Sequence, residues 1–350
     1  MSSIDELMDL ARADVDSGRL PACQVAVARH GELVAFETYG AATDDTRFCV
    51  FSATKPIVAS AIWLLLGDGR LDLQRPVAEY LPAFAANGKE SVTVEQVMLH
   101  TAGFPNATIS PADGADPEAR IRRLANWTLE WEPGSRFEYH ATSAHYVLVE
   151  LLEHLEGRDF RDVIHDRVCA PLGLPRLLGL PLDQQDDIAQ LHVMQAGEGT
   201  AWLGTLTEPD VVAAGIPGGG GVMTAATLAL FYQGVLHNPG GLWDADVLTD
   251  ATGNIRCVLP EPMFDIAVNR SAGLVIAGDD GNHFLRYAGF GVENSPASFG
   301  HAGAFMQVGW ADPATGISFA YCHNGLYEDM MADGIRGVTM SGLAASLDLD

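Results

Sequence analysis

The alternation of apolar and polar positions predicts a helix and a β-hairpin at the start of the chain. Residues 3–17 carry apolar side chains at helical spacing on one side. Two alternating runs follow, at 24–29 and 32–39, and they are separated by His30-Gly31, a pair that favours a tight turn. The N-terminal part therefore supplies two neighbouring antiparallel strands.

The rest of the chain returns to strands only near its end. Between residues 72 and 209 the pattern is mainly helical. The later apolar runs predict strands at 272–277, 283–287, 305–310 and 316–321 and a closing helix within 333–347. This order predicts an α+β fold, in which one antiparallel sheet built from both chain ends is flanked by helices. We expect an α/β sheet domain from residues 1–71 and 210–350 and an inserted, mainly helical domain at 72–209.

The stretch Phe51-Ser52-Ala53-Thr54-Lys55-Pro56 stands where a short predicted strand meets a helix that is apolar nearly all round. A serine three residues before a lysine places both side chains on one helical face, about 5–6 Å apart at Cβ. In apolar surroundings the amine loses its proton more readily, and a neutral amine can make the serine a nucleophile. Lys55 and Lys89 are the only lysines of the chain, which makes a chance pairing less frequent. On these residues alone, a helix N-cap role for Ser52 and a surface position for Lys55 stay open.

Two later stretches can complete a site for acyl transfer. Tyr139 follows a Pro-Gly turn and precedes a predicted helix, where a phenol next to an amine can shuttle a proton. In Gly300-His301-Ala302-Gly303-Ala304, small residues let a substrate approach the backbone, and the Ala304 N–H can join that of Ser52 in holding an oxyanion. The alternatives are a packed aromatic role for Tyr139, a rim or core position for His301, and an edge turn for the glycines.

Composition and charge narrow the possible partners. Apolar residues make up 48% of the chain and charged residues 19%, which is typical of a globular enzyme and excludes a disordered chain. The net charge of -26 argues against nucleic acid and membrane partners, since both anionic surfaces need basic patches. The sequence shows neither a signal-peptide pattern nor an uninterrupted apolar run of about 18 residues.

The cysteines indicate a reducing compartment. The chain has five, scattered and without a C-x-x-C pair, so a disulfide framework and a zinc site are both disfavoured. We expect a cytoplasmic protein with no metal and no cofactor. The sequence permits either a monomer or a homodimer.

Taken together, these motifs resemble those of the serine hydrolase superfamily that contains class C β-lactamases, D-Ala-D-Ala carboxypeptidases and family VIII carboxylesterases. The shared order is Ser-x-x-Lys at 52–55, Pro-Gly-x4-Tyr at 133–139 and His-x-Gly at 301–303, ahead of a Trp-x-Asp-Pro hairpin. The segment 99–105 is similar to the family's Leu-x-His-Thr-Ser-Gly-Leu-Pro segment, and 217–224 to its glycine-rich turn. The match covers nearly the whole chain and implies a fold like that of β-lactamases and penicillin-binding proteins.

The resemblance also implies a role for each motif residue. Ser52 would be the acylated nucleophile, Lys55 its neutral or proton-sharing partner, and Tyr139 the base or phenolate that moves the proton. The N–H groups of Ser52 and Ala304 would form the oxyanion hole. The residues implied to bind substrate are His140, Ala141, His301, Gly303 and Ala304.

Two departures from the family pattern bear on the substrate. Ala141 stands where lactamases and carboxypeptidases have Asn, and His301 replaces the lysine of Lys-Thr-Gly, a permanent cation that would pair with a substrate carboxylate. Both changes favour the esterase branch. We expect a carboxylesterase that cleaves a small, neutral or weakly polar ester through a Ser52 acyl-enzyme.

Other functions use the same scaffold. A β-lactamase, a D-amino-acid amidase or peptidase, and an acyltransferase are the alternatives with the same chemistry. A catalytically silent ligand-binding relative is the alternative from another class, and the intact set of Ser52, Lys55 and Tyr139 argues against it.

Overall fold

The computed structural model describes residues 3–194, 201–286, 288–327 and 329–349. The helices are α1 (Ile4–Asp16), α2 (Lys55–Gly67), α3 (Val77–Tyr80), α4 (Val94–Met98), α5 (Pro111–Ala115), α6 (Pro117–Asn126), α7 (Ser143–Glu156), α8 (Phe160–Ile164), α9 (Pro209–Ala214), α10 (Ala225–His237), α11 (Ala245–Gly253) and α12 (Met330–Ala345). The strands are β1 (Ala22–Arg29), β2 (Glu32–Gly40), β3 (Phe48–Cys49), β4 (His192–Val193), β5 (Val222–Met223), β6 (Val275–Ile276), β7 (Phe299–Gly300), β8 (Val308–Asp312), β9 (Ile317–His323) and β10 (Gly325–Leu326). Across the described ranges, no helix has both the length and the apolar character needed to cross a membrane.

The main sheet joins the two ends of the chain. In the described residues its six strands lie in the order β2-β1-β9-β8-β7-β6, and every neighbouring pair is antiparallel. The hairpin of β1 and β2 turns at His30 and Gly31, whose φ angles of 57° and 83° fit a two-residue turn. Because β1 pairs with β9, Val25 stands opposite Tyr321. The predicted α+β fold with one antiparallel sheet from both chain ends is confirmed.

Alternate residues of β1 belong to two different cores. Ala26 and Ala28 pack in the cluster that contains α2 and α10, whereas Val25 and Val27 pack in the cluster that contains α1 and α12. This is the period of two expected for a strand. Helices therefore cover both faces of the sheet.

The segment between β3 and β4 contains helices α2 to α8. One continuous hydrophobic cluster runs from Ala26 of the sheet through Trp63 of α2 to Val147 of α7. Trp63 also donates its indole N–H to the carbonyl oxygen of Ala272 at 2.7 Å, which ties α2 to the chain next to β6. The limits of an inserted domain at 72–209 stay a prediction.

Three strands predicted for the last third differ in the structure. Residues His283–Leu285 form a 3-10 turn, so the strand predicted at 283–287 is wrong there, and Tyr287 lies outside the described residues. The strand predicted from 305 begins at Val308, because Phe305 and Met306 both have φ of 57°, which a pleated strand does not accommodate. The strand predicted at 272–277 shrinks to β6.

Candidate active site

Ser52 lies in a 3-10 turn, Phe51–Thr54, that leads from β3 into α2. Phe51 has φ of 46°, in the left-handed region. The hydroxyl of Thr54 fixes this turn, since it donates to the carbonyl of Phe51 at 2.6 Å and accepts from the N–H of Gly221 at 2.9 Å. Sequence reasoning missed Thr54, although it stands between the two motif residues.

Lys55 is the first residue of α2 and is 1% exposed. Its Nζ donates to the carbonyl oxygens of Ala141 at 2.7 Å and Gly218 at 2.6 Å, and lies 3.1 Å from Ser52 Oγ. Burial, followed by the nearby charge of Arg270, holds the pKa of Lys55 well below 10.5. A neutral amine has two N–H groups and one lone pair. In the neutral form, the two carbonyls can accept both N–H groups, which leaves the lone pair for the serine hydroxyl.

Glycine at 218 is required for this arrangement. A Cβ there would lie 2.9 Å from the carbonyl oxygen of Ala141 and 3.5 Å from Lys55 Nζ. The glycine-rich stretch after α9 thus lets backbone carbonyls reach the amine. Ala141 serves the site through its backbone, a role that its side chain does not reveal.

Tyr139 lies against the same amine. Its ring centroid is 4.9 Å from Lys55 Nζ, and the ring stacks on His100 with centroids 4.8 Å apart. Burial raises the pKa of Tyr139 to about 12, while the charge of Arg270 and a hydrogen bond with Ser52 act in the opposite direction. The phenol is therefore protonated at neutral pH.

The neighbouring histidines hold backbone segments together. His140 is fully buried; its Nδ1 donates to the carbonyl of Glu138 at 2.6 Å, and its Nε2 accepts from the N–H of Phe104 at 3.2 Å. His100 Nδ1 accepts from the N–H of His140 at 3.0 Å. Backbone groups use both ring nitrogens of His140, so the geometry gives it the task of supporting the Tyr139 loop and does not support its predicted contact with substrate.

His301 is also buried and neutral. Its Nδ1 donates to the carbonyl of Ala302 at 2.7 Å, and its Nε2 faces Arg270 Nη1 at 3.5 Å. Burial and then the charge of Arg270 hold the pKa of His301 well below 6.5. Position 301 therefore carries no charge at neutral pH, as expected from the replacement of lysine.

Close approach of two backbone segments links Gly303 to the serine turn. A Cβ at Gly303 would lie 2.1 Å from the carbonyl oxygen of Val50 and 3.1 Å from Phe51 Cβ, so only glycine fits. Ala304 follows directly, and the ring of Phe305 lies 5.6 Å from that of Phe51. The segment that carries Ala304 is thereby packed against the turn that carries Ser52.

Arg270 is the charged group at this site that sequence reasoning missed. The side chain is 3% exposed, and its guanidinium carbon lies 5.2 Å from the ring centroid of Tyr139 and 5.4 Å from that of Phe137. Arg270 stands outside all of the sequence motifs. It is brought to the site by the antiparallel pairing of its backbone with Cys257, which local sequence does not reveal. Although His301 replaces the lysine of the family pattern, the guanidinium of Arg270 places a fixed positive charge next to it.

Metal ligation is not a feature of the described part of the chain. Within it, no group of three His, Cys, Asp or Glu side chains is placed to hold a metal ion. The five cysteines are buried and free.

The family model for beta-lactamase matches residues 6–339. The chain belongs to the beta-lactamase family. It is 30% identical to Esterase/beta-lactamase LipL of Mycobacterium tuberculosis over 323 residues, which are 82% of this chain and 71% of LipL. It is also 30% identical to Esterase EstB of Burkholderia gladioli over 358 residues, covering 89% of this chain and 88% of EstB.

Solved structures agree with this family assignment. A penicillin-binding protein homologue from Caulobacter crescentus superposes with a TM-score of 0.77 at 25% identity, over 97% of this chain and 96% of that one. A family VIII carboxylesterase superposes with a TM-score of 0.78 at 22% identity and the same coverage. The predicted membership of the serine hydrolase superfamily and the predicted β-lactamase-like fold are confirmed.

Proposed function

We propose that this beta-lactamase-family serine hydrolase is a carboxylesterase that forms an acyl-enzyme on Ser52. The observation that carries the proposal is the 3.1 Å contact between Ser52 Oγ and a buried Lys55 amine whose N–H groups are taken by two carbonyls. Both relatives at 30% identity are named as esterases, which supports an ester as the substrate.

In acylation, Ser52 Oγ attacks the carbonyl carbon of the ester while its proton passes to the Lys55 lone pair. The carbonyl electron pair moves onto oxygen, and the N–H groups of Ser52 and Ala304 stabilise the oxyanion. When the carbonyl re-forms, the C–O bond to the alcohol breaks. Tyr139 donates its proton to the departing alkoxide and regains one from the protonated Lys55.

Deacylation repeats these steps with water as the nucleophile. Water attacks the acyl carbonyl carbon as its proton passes to the Lys55–Tyr139 pair. The second tetrahedral intermediate then expels Ser52 Oγ, which takes that proton back. The carboxylic acid leaves, and both residues return to their starting protonation states.

A β-lactam is the second candidate substrate, and Arg270 is the observation that favours it. The replacement of lysine by His301 removes a cation, but Arg270 Nη1 lies 3.5 Å from His301 Nε2 and restores a fixed positive charge beside it. Esterase/beta-lactamase LipL carries both activities in its name. The ester proposal then depends on Ala141, which offers no side-chain amide to bind a substrate amide.

Intact-protein mass spectrometry with p-nitrophenyl butyrate and, separately, a chromogenic cephalosporin tests the proposal. We expect a butyryl adduct and ester turnover for the wild type. Ser52→Ala should form no adduct and lose at least about a thousandfold in rate, because the nucleophile is gone. Ser60→Ala is the matched control, since Ser60 is a buried serine of α2 whose hydroxyl donates to the carbonyl of Ile57.

Two results would contradict the proposal. Ester turnover by Ser52→Ala at the level of Ser60→Ala would remove Ser52 from the mechanism. Rapid cephalosporin hydrolysis with slow ester turnover would assign the protein to the β-lactam side of the family.

A further inference from the structure

Tyr139 lies close to two basic side chains, the amine of Lys55 and the guanidinium of Arg270. Lys55 Nζ is 4.9 Å from its ring centroid, and the guanidinium carbon of Arg270 is 5.2 Å from the same centroid. Arg270 also lies over the ring of Phe137 and faces His301 Nε2. One guanidinium therefore contacts both polar side chains that flank the Ser52–Lys55 pair.

The backbone holds Arg270 firmly in this position. Its N–H donates to the carbonyl of Cys257 at 3.1 Å, and its carbonyl accepts from the N–H groups of Cys257 at 3.0 Å and Arg256 at 2.8 Å. Arg256 is in turn paired with Glu95 at 2.5 Å and Asp250 at 2.8 Å. The segment is thus anchored to α4 and α11, and the Arg270 side chain, 3% exposed, is enclosed by its neighbours.

The positive charge of Arg270 acts on several titratable groups. An arginine side chain stays protonated at all accessible pH values, so its field is constant. The charge of Arg270 acts to lower the pKa of six ionisable neighbours. Burial acts in the same direction, and more strongly, on the amine and the histidines, but it raises the pKa of Tyr139. These neighbours are Lys55, His100, Tyr139, His140, His145 and His301.

We propose that Arg270 is a positioning residue for the reaction: its guanidinium, which lies over the ring of Tyr139 and faces His301 Nε2, fixes both side chains beside Ser52 and places a permanent positive charge next to the Lys55–Tyr139 pair. The inference rests on the proposed function, in which that pair must accept the serine proton. It explains how a site with a buried amine and a buried phenol stays ready to act as a base.

The pH dependence of Ser52 reactivity tests this role. The rate of labelling by a fluorophosphonate probe and kcat/KM for p-nitrophenyl butyrate are measured against pH for the wild type, Arg270→Gln, Arg270→Met and Arg270→Lys. Without the charge of Arg270, the Lys55–Tyr139 pair stays protonated up to a higher pH. The ascending limb of the pH–rate profile should therefore move up by about one pH unit in the Gln and Met variants. The lysine variant should return the limb towards the wild-type position only as far as its amine keeps a proton in the same buried place.

Arg286→Gln is the matched control. Arg286 is also buried near β6, and it donates to the carbonyls of Ala267 at 2.9 Å and Ala277 at 2.6 Å. Loss of the Arg286 guanidinium should perturb packing to a similar degree but leave the ascending limb of the pH–rate profile in place. Thermal unfolding of every variant reports the effect on the fold.

The outcomes separate the two proposals. A wild type whose Ser52 is not labelled would overturn the proposed function. If the wild type is labelled normally and the ascending limb of the pH–rate profile stays in place in Arg270→Gln and Arg270→Met, the proposed role of Arg270 is overturned. This holds whatever the absolute rates of the two variants. Failure of both neutral variants to fold while Arg270→Lys folds would assign Arg270 a structural role alone and would overturn it too.

Discussion

At the scale of single residues, the two lysines of the chain show what makes Lys55 different. Lys89 is fully buried, and its Nζ donates to the carbonyls of Ala86 at 2.6 Å, Ala125 at 3.3 Å and Trp127. Both amines are thus enclosed by backbone carbonyls, and burial lowers both pKa values. Lys55 alone of the two has a serine hydroxyl among its contacts.

Replacing each lysine by arginine separates burial from proton transfer. We expect Lys55→Arg to lose at least about a hundredfold in ester hydrolysis, because a guanidinium cannot give up its proton to become a base. Lys89→Arg keeps the charge in a comparable cage and should retain the activity. Hydrolysis rates and circular dichroism of both variants provide the comparison, and an active Lys55→Arg enzyme would contradict the role of the neutral amine.

Sequence reasoning found the residues that form local motifs. The spacing of Ser52 and Lys55 is fixed by one helical turn, so their contact could be predicted before the fold was known. Arg270 reaches the site through the pairing of its backbone with Cys257, and Thr54 gains its support for the serine turn from a hydrogen bond with Gly221; no local spacing encodes either contact. The reacting groups could therefore be predicted from local motifs, whereas the groups that hold them in place became visible only in the folded chain.

At the scale of elements, the turn at Ala304–Met306 is the feature that differs most from expectation. Phe305 and Met306 favour strands in the sequence, yet both adopt φ of 57°. Tertiary contacts hold the turn: His323 Nε2 donates to the carbonyl of Phe305 at 2.7 Å, and the His323 N–H donates to Gln307 Oε1 at 2.9 Å. Such backbone costs about 1–3 kcal/mol per residue and is concentrated at functional sites.

The contact between this turn and the serine turn can be tested at Gly303. The added Cβ of Gly303→Ala would meet the carbonyl of Val50 at 2.1 Å and push the two segments apart. Because misplacement by about 1 Å can cost a hundredfold in rate, we expect a loss of that order in kcat with the fold retained. The measurement is kcat for p-nitrophenyl butyrate together with the thermal midpoint.

Gly334→Ala provides the control for this substitution. A Cβ at Gly334, within α12, would meet no atom within 4 Å, so alanine there should leave kcat unchanged and stabilise the helix slightly. Equal kcat values for Gly303→Ala and Gly334→Ala would show that the close approach at Gly303 does not position the segment that carries Ala304.

Elements long enough to show a hydrophobic pattern could be predicted from the sequence, whereas strands of two residues could not. The hairpin of β1 and β2 and the buried helix α2 follow from periods of two and from continuous apolar character. Strands β6 and β7 have two residues each, too few for a period to show. β7 pairs with β8, and β6 pairs with β7, so both short strands extend the sheet of the longer strands.

At the scale of the whole molecule, a buried ion network joins the first helix to the last. Asp14 of α1 is 5% exposed and accepts from Tyr321 Oη at 3.0 Å and from Arg336 Nε at 2.7 Å. Its Oδ1 also lies 3.8 Å from Arg19 Nε. The carboxylate thus connects α1, β9 and α12 on the face of the sheet opposite α2.

Asp14→Ala tests how far the two chain ends stabilise one another. It leaves the Tyr321 hydroxyl without this acceptor and the Arg336 guanidinium with the carbonyl of Leu10 but no carboxylate. Breaking a buried ion pair from one side costs about 3–5 kcal/mol, and because Arg336 is 18% exposed we expect the lower end of that range. We expect the urea midpoint of unfolding to fall accordingly. Arg75→Ala is the control, because its pair with Glu79 is 60% and 50% exposed and contributes at most about 1 kcal/mol.

The same experiment shows whether stability and catalysis are separate in this fold. The Asp14 network lies on the face covered by α1 and α12, whereas Lys55 begins the helix that covers the other face. Asp14→Ala should therefore keep its kcat at temperatures where it remains folded. A midpoint equal to that of Arg75→Ala would mean that the network adds little to the joining of the chain ends, and a lowered kcat in the folded enzyme would show that the two faces are coupled through the sheet.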